Sequence, residues 1–190
     1  MLPFRILTNL SGSSLLLRRI LSGDLPAIEV LVNRAFNTED LGKEVSTYLR
    51  ELLRTNANAR VADTNSNQSV ISEYWVLIDP DSKHIIGLTG LYRLRWAWSR
   101  SYWLGWFALD PDLHGKGIGT KLLEITMATA KGYGAAHLKV ETMFGGASEE
   151  FYKKNGFELE GKLKDHYGDN YDAAVLSRSL EDISPIAPED

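Results

Sequence analysis

Residues 109–123 of the sequence read LDPDLHGKGIGTKLL and place three alternate glycines, beginning at Gly115, between a predicted strand and a predicted helix. Glycine lets the backbone approach a ligand closely and turn successive N–H groups into one concavity. The start of the helix adds unpaired N–H donors and the positive end of its dipole. The stretch therefore predicts a site for an anionic pyrophosphate, to which Lys116 and Lys121 add positive charge. The alternative is a strand-to-helix turn that binds nothing.

Two other phosphate-binding motifs agree less well with this stretch. A P-loop requires a glycine at a fixed distance before a Gly-Lys-Ser/Thr triplet, and the stretch has no such triplet. A dinucleotide site is the closer rival, because a strand, glycines, a helix and then Glu141 on the next strand imitate its plan. However, Gly119 stands one position before the third glycine of that fingerprint, and five residues separate Leu109 from Gly115 where a tight turn is expected.

The hydrophobic pattern predicts a strand and two amphipathic helices, then an antiparallel meander, which is wrong for a doubly wound sheet. Residues 56–72 show no periodicity and are predicted to form a loop. The other predicted elements are strands at 15–21, 74–79, 84–94, 102–109, 137–143, 157–163 and 171–179, and helices from Pro26, from Leu41, at 117–131 and at 148–154.

Composition indicates one folded domain over residues 1–180, followed by an acidic tail, 181–190, predicted to be disordered. Of the 190 residues, 44% are hydrophobic and 24% charged, as in soluble globular proteins. The formal charge of −4, without a dense basic run, argues against a nucleic-acid partner. The chain has no cysteine, and the apolar run at 15–17 is too short for a membrane span or signal peptide. We expect a cytoplasmic protein that does not associate with membranes.

Two motifs, in order, resemble those of the GNAT superfamily of N-acetyltransferases. The run from His114 to Gly119 is similar to the family's Arg/Gln-x-x-Gly-x-Gly/Ala motif, with His114 in place of Arg or Gln. The run 147–157, ASEEFYKKNGF, resembles the family's Phe/Leu-Tyr-x-x-x-Gly-Phe segment. The order of predicted elements from Leu15 to Leu180 matches as well, so the resemblance covers nearly the whole chain.

The resemblance implies a mixed α/β fold in three layers. Its central sheet would have six to seven mostly antiparallel strands, splayed between the fourth and the fifth, with helices on both faces. It also implies acetyl-CoA as co-substrate, with coenzyme A bound in the splay and at the glycine loop. No metal is predicted, because His84, His137 and His166 have no metal-ligand spacing to one another. The residues implied to bind the cofactor are Phe107, Ala108, Leu109, His114, Gly115, Lys116, Gly117, Ile118, Gly119 and Thr120.

By the same resemblance, Tyr152 takes the position that protonates the departing CoA thiolate. A phenol has a reference pKa near ~10, so it keeps its proton at neutral pH and can pass it to sulfur. The alternative is a tyrosine that only packs on the cofactor. Glu141, beside the splay, is the first candidate for the base that deprotonates the amine, directly or through water; a solvated strand-end carboxylate is the alternative. Gly145 and Gly146 stand where the family often has an asparagine that contacts pantetheine.

The family's acceptor lies between the early helices and a late loop, here 36–41 and 164–171. Acidic and tyrosine side chains of the late segment suit a cationic amine, so we expect a small amine, an amino acid or a peptide amine as substrate, and a monomer or homodimer. Two readings from other classes stay open: a non-catalytic acyl-CoA sensor and a dinucleotide-binding oxidoreductase. The acidic and tyrosine residues concerned are Asp165, Tyr167, Asp169, Tyr171 and Asp172.

Overall fold

The computed structural model describes residues 5–8, 14–54, 72–94, 97–98 and 100–186. Within these ranges the chain forms four α-helices and nine strands. The strands are β1 (Arg5–Thr8), β2 (Ser14–Arg19), β3 (Ser72–Ile78), β4 (Ile85–Tyr92), β5 (Ser101–Leu104), β6 (Ala108–Leu109), β7 (His137–Met143), β8 (Glu158–Leu163) and β9 (Ala173–Ser179). The helices are α1 (Leu25–Phe36), α2 (Leu41–Arg54), α3 (Ile118–Gly132) and α4 (Ala147–Lys154).

All described strands belong to one sheet with the order β1-β2-β3-β4-β5-β7-β9-β8, and the short strand β6 pairs with β4. Every pairing is antiparallel except that of β5 with β7. The mixed α/β fold and the mostly antiparallel sheet are therefore confirmed. The predicted number of strands was too low, because β1 was not predicted and the strand predicted at 102–109 is divided into β5 and β6.

A β-bulge divides that strand. Leu104 pairs with Leu91 and Ala108 with Leu88, so the three residues 105–107 lie opposite the two residues 89 and 90 of β4. A bulge of this kind bends the strand that carries it. The parallel pairing of β5 with β7 ends at Trp103, and the chain beyond it turns away from β7. This is the predicted splay between the fourth and fifth strands.

The ring of Tyr74 occupies the space inside the bend. A β-carbon on Gly105 or on Gly90 would overlap this ring, so both positions require glycine for close approach. Tyr74 is 2% exposed, and its hydroxyl is hydrogen-bonded to the backbone of Trp106. Burial raises the pKa of the Tyr74 phenol well above its usual value. The bend is thus held by a neutral, buried side chain.

The sheet carries a hydrophobic core on each face, because successive side chains of a strand point to opposite faces and those of β3 and β4 are buried on both. The α1/α2 core contains Ile28, Val32, Leu49, Val76 and Leu88. The α3/α4 core contains Leu122, Met127, Leu138, Val140 and Leu176, together with Tyr152. Because Leu138 and Val140 of β7 belong to the α3/α4 core, the side chain of Glu141 between Val140 and Thr142 points to the opposite face.

Two predicted irregular segments are described only in part. The predicted loop 56–72 lies, apart from Ser72, outside the described residues. Residues 181–186 of the predicted tail are described and contact the domain: Ile183 packs on the α3/α4 core, and the N–H of Ile186 donates to the carbonyl of Ala128 at 2.9 Å. Residues 187–190 lie outside the described part. No helix in the described ranges is long and apolar enough to cross a bilayer.

Candidate functional site

An open groove of about 520 Å³ lies where the bulged segment, the loop before α3 and the start of α4 meet. Its walls combine small residues of the loop with aromatic side chains from several elements. None of the residues found to line the groove is acidic, so it suits an anionic ligand. They are Ala35, Phe36, Phe107, Ala108, Leu109, Leu113, His114, Gly115, Gly117, Gly119, Thr120, Ala147, Ser148, Phe151 and Tyr152.

The loop before α3 has the geometry of an anion site. Gly115 and Gly117 adopt positive φ angles of 71° and 74°, which glycine alone reaches without strain. The first helical bond to this loop is from the N–H of Lys121 to the carbonyl of Gly117 at 3.1 Å. The N–H groups at 118–120 therefore precede the helical ladder and have no intrahelical acceptor. They provide donors at the positive end of the helix dipole.

The groove brings together most of the residues predicted to bind the cofactor. These are Phe107, Ala108, Leu109, His114, Gly115, Gly117, Gly119 and Thr120. Two predicted side chains lie elsewhere. Lys116 is exposed and is not part of the lining. Ile118 is 6% exposed and packs in the α3/α4 core, as expected for an apolar side chain on the inner face of a helix.

An ion-pair cluster that sequence reasoning missed fastens α1 to this loop. Arg34 donates to Asp110 at 2.6 Å and to Asp112 at 2.9 Å. Asp110 also accepts the backbone N–H of Asp112 at 3.0 Å and so caps the single 3₁₀ turn at 111–113. The ring of His114 hydrogen-bonds to the carbonyl of Leu109 at 3.2 Å. The turn chemistry of Asp110 was readable from sequence, whereas its partner Arg34, 76 residues away, was not.

Aromatic side chains at two ends of the groove were only partly foreseen. Phe151 stacks on Phe107 with ring centroids 6.0 Å apart, and its position beside Tyr152 in the sequence was the available signal. Phe36 begins the segment predicted on the acceptor side, and it meets Trp106 edge-on at 6.2 Å. Phe36 is also part of the groove lining, so the predicted acceptor side adjoins the predicted donor site.

Tyr152 lies on α4 at the inner end of the groove. It is 5% exposed and is surrounded by the rings of Phe107, Phe151 and Phe157, with centroids 5.2 to 6.4 Å away. Burial, with a smaller electrostatic contribution from Tyr167, raises the pKa of the Tyr152 phenol. Its hydroxyl is consequently protonated at neutral pH and is able to donate a proton to a more basic group in the groove.

Glu141 does not line the groove but lies in a cluster on the opposite face of the sheet. Its Oε1 atom accepts the hydroxyl of Tyr167 at 3.1 Å and lies 3.0 Å from Nε2 of His166. The side chain is 32% exposed. Burial and the nearby Glu141 charge raise the pKa of Tyr92, on β4, to about 12. Sequence reasoning singled out Glu141 and Tyr167 separately and did not associate His166 with them.

The acidic residues of the late loop hold the loop itself. Asp165 accepts the N–H of Asn170 at 2.8 Å, and Asp172 accepts the N–H of Asp165 at 2.8 Å while pairing with Lys162 at 2.5 Å. The Lys162 side chain and the backbone hydrogen bond lower the pKa of Asp172. These two carboxylates therefore already have partners, which argues against their predicted role in binding a cationic amine.

The loop before α4 is held by Glu149, which is 2% exposed. Its carboxylate accepts the N–H of Gly145 at 2.5 Å and pairs with Lys153 at 2.7 Å. Both contacts, that of Lys153 the larger, lower the pKa of Glu149. A β-carbon on Gly145 would meet nothing within 4 Å, so the loop leaves open space at this position. In the described ranges, no group of three or more His, Cys, Asp or Glu side chains is placed to hold a metal ion.

The fold and this groove together define an α/β protein with a split sheet and, at the split, a glycine loop that has the geometry of an anion site. Residues 71–159 match the family model described as "Acetyltransferase (GNAT) domain". This segment is therefore a GNAT acetyltransferase domain, and the resemblance found in the sequence is confirmed. A comparison of the sequence with curated proteins gave no significant match.

Solved structures of GNAT-family proteins share the fold over most of the chain. One is a putative acetyltransferase of the GNAT family from Desulfovibrio desulfuricans, 20% identical, with a TM-score of 0.72 and coverage of 87% of this chain and 99% of that one. A chimera of spermidine N-acetyltransferase SpeG from Vibrio cholerae and hSSAT is 22% identical (TM-score 0.67; coverage 89% and 97%). Ribosomal-protein-S5-alanine acetyltransferase from Vibrio fischeri is 21% identical (TM-score 0.60; coverage 90% and 96%).

Proposed function

We propose that this chain is an N-acetyltransferase that transfers an acetyl group from acetyl-CoA directly to a primary amine while both substrates are bound. The observation that carries the proposal is the groove itself. A single groove joins the glycine loop, the bulged strand and a buried, protonated tyrosine. These are the three parts that transfer from a thioester requires: an anion site, a channel beside the strand, and an acid at its end.

Acetyl-CoA supplies the thioester whose acetyl group is transferred. The residues present suit this donor, since the N–H groups at 118–120 face the pyrophosphate position and the groove lining has no carboxylate to repel it. β6 pairs with β4 along one edge only, and its other edge borders the groove. Backbone groups of the segment Phe107, Ala108 and Leu109 that face away from β4, other than the Leu109 carbonyl bonded to His114, are therefore available. They would hold the pantetheine arm and stabilise an oxyanion at the acetyl carbonyl.

Tyr152 donates its proton to the sulfur of the departing thiolate. The pKa of its phenol is raised by burial, so the proton is present at neutral pH. Because the amine attacks the thioester directly, the transfer needs no side-chain nucleophile. Holding amine and thioester in the right geometry supplies a large share of the rate increase in such a complex.

The amine approaches from the side of the sheet that carries Glu141. An alkylammonium has a reference pKa near ~10 and must lose a proton before it attacks. Glu141 supplies the basic end of the site, directly or through a further group. The acceptor is a small amine, an amino acid or a peptide amine, and the structural neighbours that acetylate spermidine and a ribosomal protein span this range.

Thermal unfolding with acetyl-CoA, CoA and NAD, each added separately, tests donor binding, because a ligand specific for the folded state raises the unfolding midpoint. We expect a shift with both CoA species and none with NAD. Thiol release is then measured with spermidine, alanine and an alanine-initiated hexapeptide as acceptors. Release that depends on one of these amines supports the transferase.

Two other outcomes assign the chain to a different class. A shift with NAD alone makes a dinucleotide-binding oxidoreductase the better reading. A shift with CoA species but no amine-dependent thiol release over a wide range of amines favours a non-catalytic acyl-CoA sensor.

A further inference from the structure

We infer that the imidazole of His166 takes the proton from the acceptor amine, with Glu141 as its orienting partner, and that Glu141 is not the base by itself. The inference rests on the proposed function and adds a residue to it. His166 lies in the loop between β8 and β9, apart from the motifs that identify the family.

The imidazole of His166 lies within ion-pair distance of a carboxylate. Nε2 of His166 lies 3.0 Å from Oε1 of Glu141, and the same oxygen accepts the hydroxyl of Tyr167 at 3.1 Å. The rings of His166 and Tyr167 meet edge-on with centroids 5.0 Å apart, which limits rotation of the imidazole. A carboxylate on Nε2 favours the tautomer with the proton on that nitrogen. Nδ1 is then the basic nitrogen.

The chemistry of the two groups also favours the imidazole. A neutral imidazole is a stronger base than a carboxylate, and histidine is the side chain that most often serves as a general base. The carboxylate of Glu141 stabilises the imidazolium once it forms, as the acid does in hydrolase triads. The His166 side chain is 40% exposed and is therefore open to an incoming amine or to a bridging water.

The cluster is also close to the proposed acid. Tyr167, which hydrogen-bonds to Glu141, is near enough to Tyr152 to interact with it electrostatically. Two other groups face Glu141: Tyr167 of the same loop, through its hydrogen bond, and Tyr92 of β4, whose phenol is affected by the Glu141 charge. The proposed base therefore approaches the split from one face of the sheet, and Tyr152 approaches it from the other face.

The proton transfers balance in this arrangement. Nδ1 of His166 accepts one proton of the ammonium, and the freed nitrogen lone pair forms the bond to the acetyl carbon. The C–S bond breaks with both electrons on sulfur, and the Tyr152 hydroxyl protonates the thiolate. The second proton lost from the attacking nitrogen restores the Tyr152 hydroxyl. The imidazolium releases its proton to solvent.

The pairing is tested without substrates by ¹⁵N NMR of the histidine side chains. Nitrogen shifts distinguish the two neutral tautomers, and the His166 signals are assigned by their loss in His166→Gln. We expect His166 to carry its proton on Nε2 in the unmodified chain and to become a mixture of tautomers in Glu141→Gln. A mixture in the unmodified chain overturns the pairing.

The role in catalysis is tested with His166→Gln, whose amide keeps a donor near Nε2 and lacks a basic nitrogen. With acetyl-CoA and the fastest of the three amines named above, we expect kcat/KM to fall by about 10²-fold, within the usual range for a general base. The thermal shift with acetyl-CoA stays unchanged. Exogenous imidazole partly restores activity to His166→Gly. His84→Gln, at the exposed turn between β3 and β4, is the matched control and keeps full activity.

Other outcomes separate this inference from the proposed function. If His166→Gln retains activity within a few-fold while Glu141→Gln loses it, Glu141 itself is the base and the inference is overturned. If the unmodified chain shows no shift with acetyl-CoA and no transfer, the proposed function fails and the inference fails with it, whatever tautomer is found.

Discussion

Tyr74 fills the space that a side chain on residue 105 would need: a β-carbon at Gly105 would lie 2.8 Å from Cζ of the Tyr74 ring and closer still to its hydroxyl oxygen. The contact joins β3 to the bulged segment across β4. Because the bulge turns the chain away from β7, this buried tyrosine and glycine maintain the opening in which the candidate site lies.

Gly105→Ala therefore tests the packing that holds the bulge. Overpacking of a dense core costs about 1–3 kcal/mol, and we expect a loss of unfolding free energy in that range, measured by urea denaturation. Gly23→Ala is the matched control, because a β-carbon there meets nothing within 4 Å. Equal costs at the two positions would show that Tyr74 does not restrict residue 105.

Tyr152→Phe tests the proposed acid. The ring and its aromatic contacts remain, so the unfolding midpoint and its shift with acetyl-CoA should change little. Loss of the proton donor should lower kcat by about 10²-fold or more. Tyr102→Phe is the control, since that buried phenol donates instead to the carbonyl of Tyr133. If Tyr152→Phe keeps full kcat, the tyrosine only packs on the cofactor.

Gly117→Ala tests the glycine loop. Gly117 and Gly134 both have positive φ, at 74° and 88°, but only Gly117 lies in the groove. Alanine in this conformation costs about 1–2 kcal/mol at either position. We expect similar losses of stability in the two variants and an increase of about tenfold in the Kd for CoA, by calorimetry, in Gly117→Ala alone. An unchanged Kd for CoA in Gly117→Ala would show that the loop is a turn that does not bind the cofactor.

Arg34→Gln tests the ion pairs that fasten α1 to the loop. Arg34 is 48% and Asp112 83% exposed, so their contribution to stability is small, about 0–1 kcal/mol. Asp110 caps the turn that leads into the glycines, so we expect the affinity of Arg34→Gln for CoA to be several-fold weaker. In the unmodified chain, added salt screens the ion pairs and should lower the affinity for CoA. Arg54→Gln removes an exposed pair with Glu51 and should leave affinity unchanged. Equal affinities in the two variants would contradict this role.

Most of the fold was predictable because its signals are local. The apolar, β-branched and aromatic runs of β3 and β4 and the glycines before α3 act over a few residues, and the motif around Tyr152 located α4. The division into β5 and β6 was not predictable, because the bulge depends on the ring of Tyr74, which reaches residue 105 only after the sheet has formed.

The same limit explains the candidate site. The glycine loop and Tyr152 belong to contiguous motifs and could be found in the sequence. The Lys116 side chain was placed in the site because of its charge, but its direction depends on the tight loop geometry. The contact between His166 and Glu141 joins residues that are 25 positions apart, and it depends on the pairing of β7 with β9. No local sequence pattern predicts it.

The short parallel pairing has a mechanical consequence. Among the described strands, β1–β6 and β7–β9 are joined by backbone pairing only at three register positions, from Ser101–His137 to Trp103–Lys139. Beyond this junction no pairing of described strands joins the two leaves of the sheet, β1–β6 and β7–β9, and side-chain packing in the α3/α4 core holds them together. A ligand that bridges both leaves therefore stiffens the domain as it binds, and slower amide exchange along both edges should accompany it.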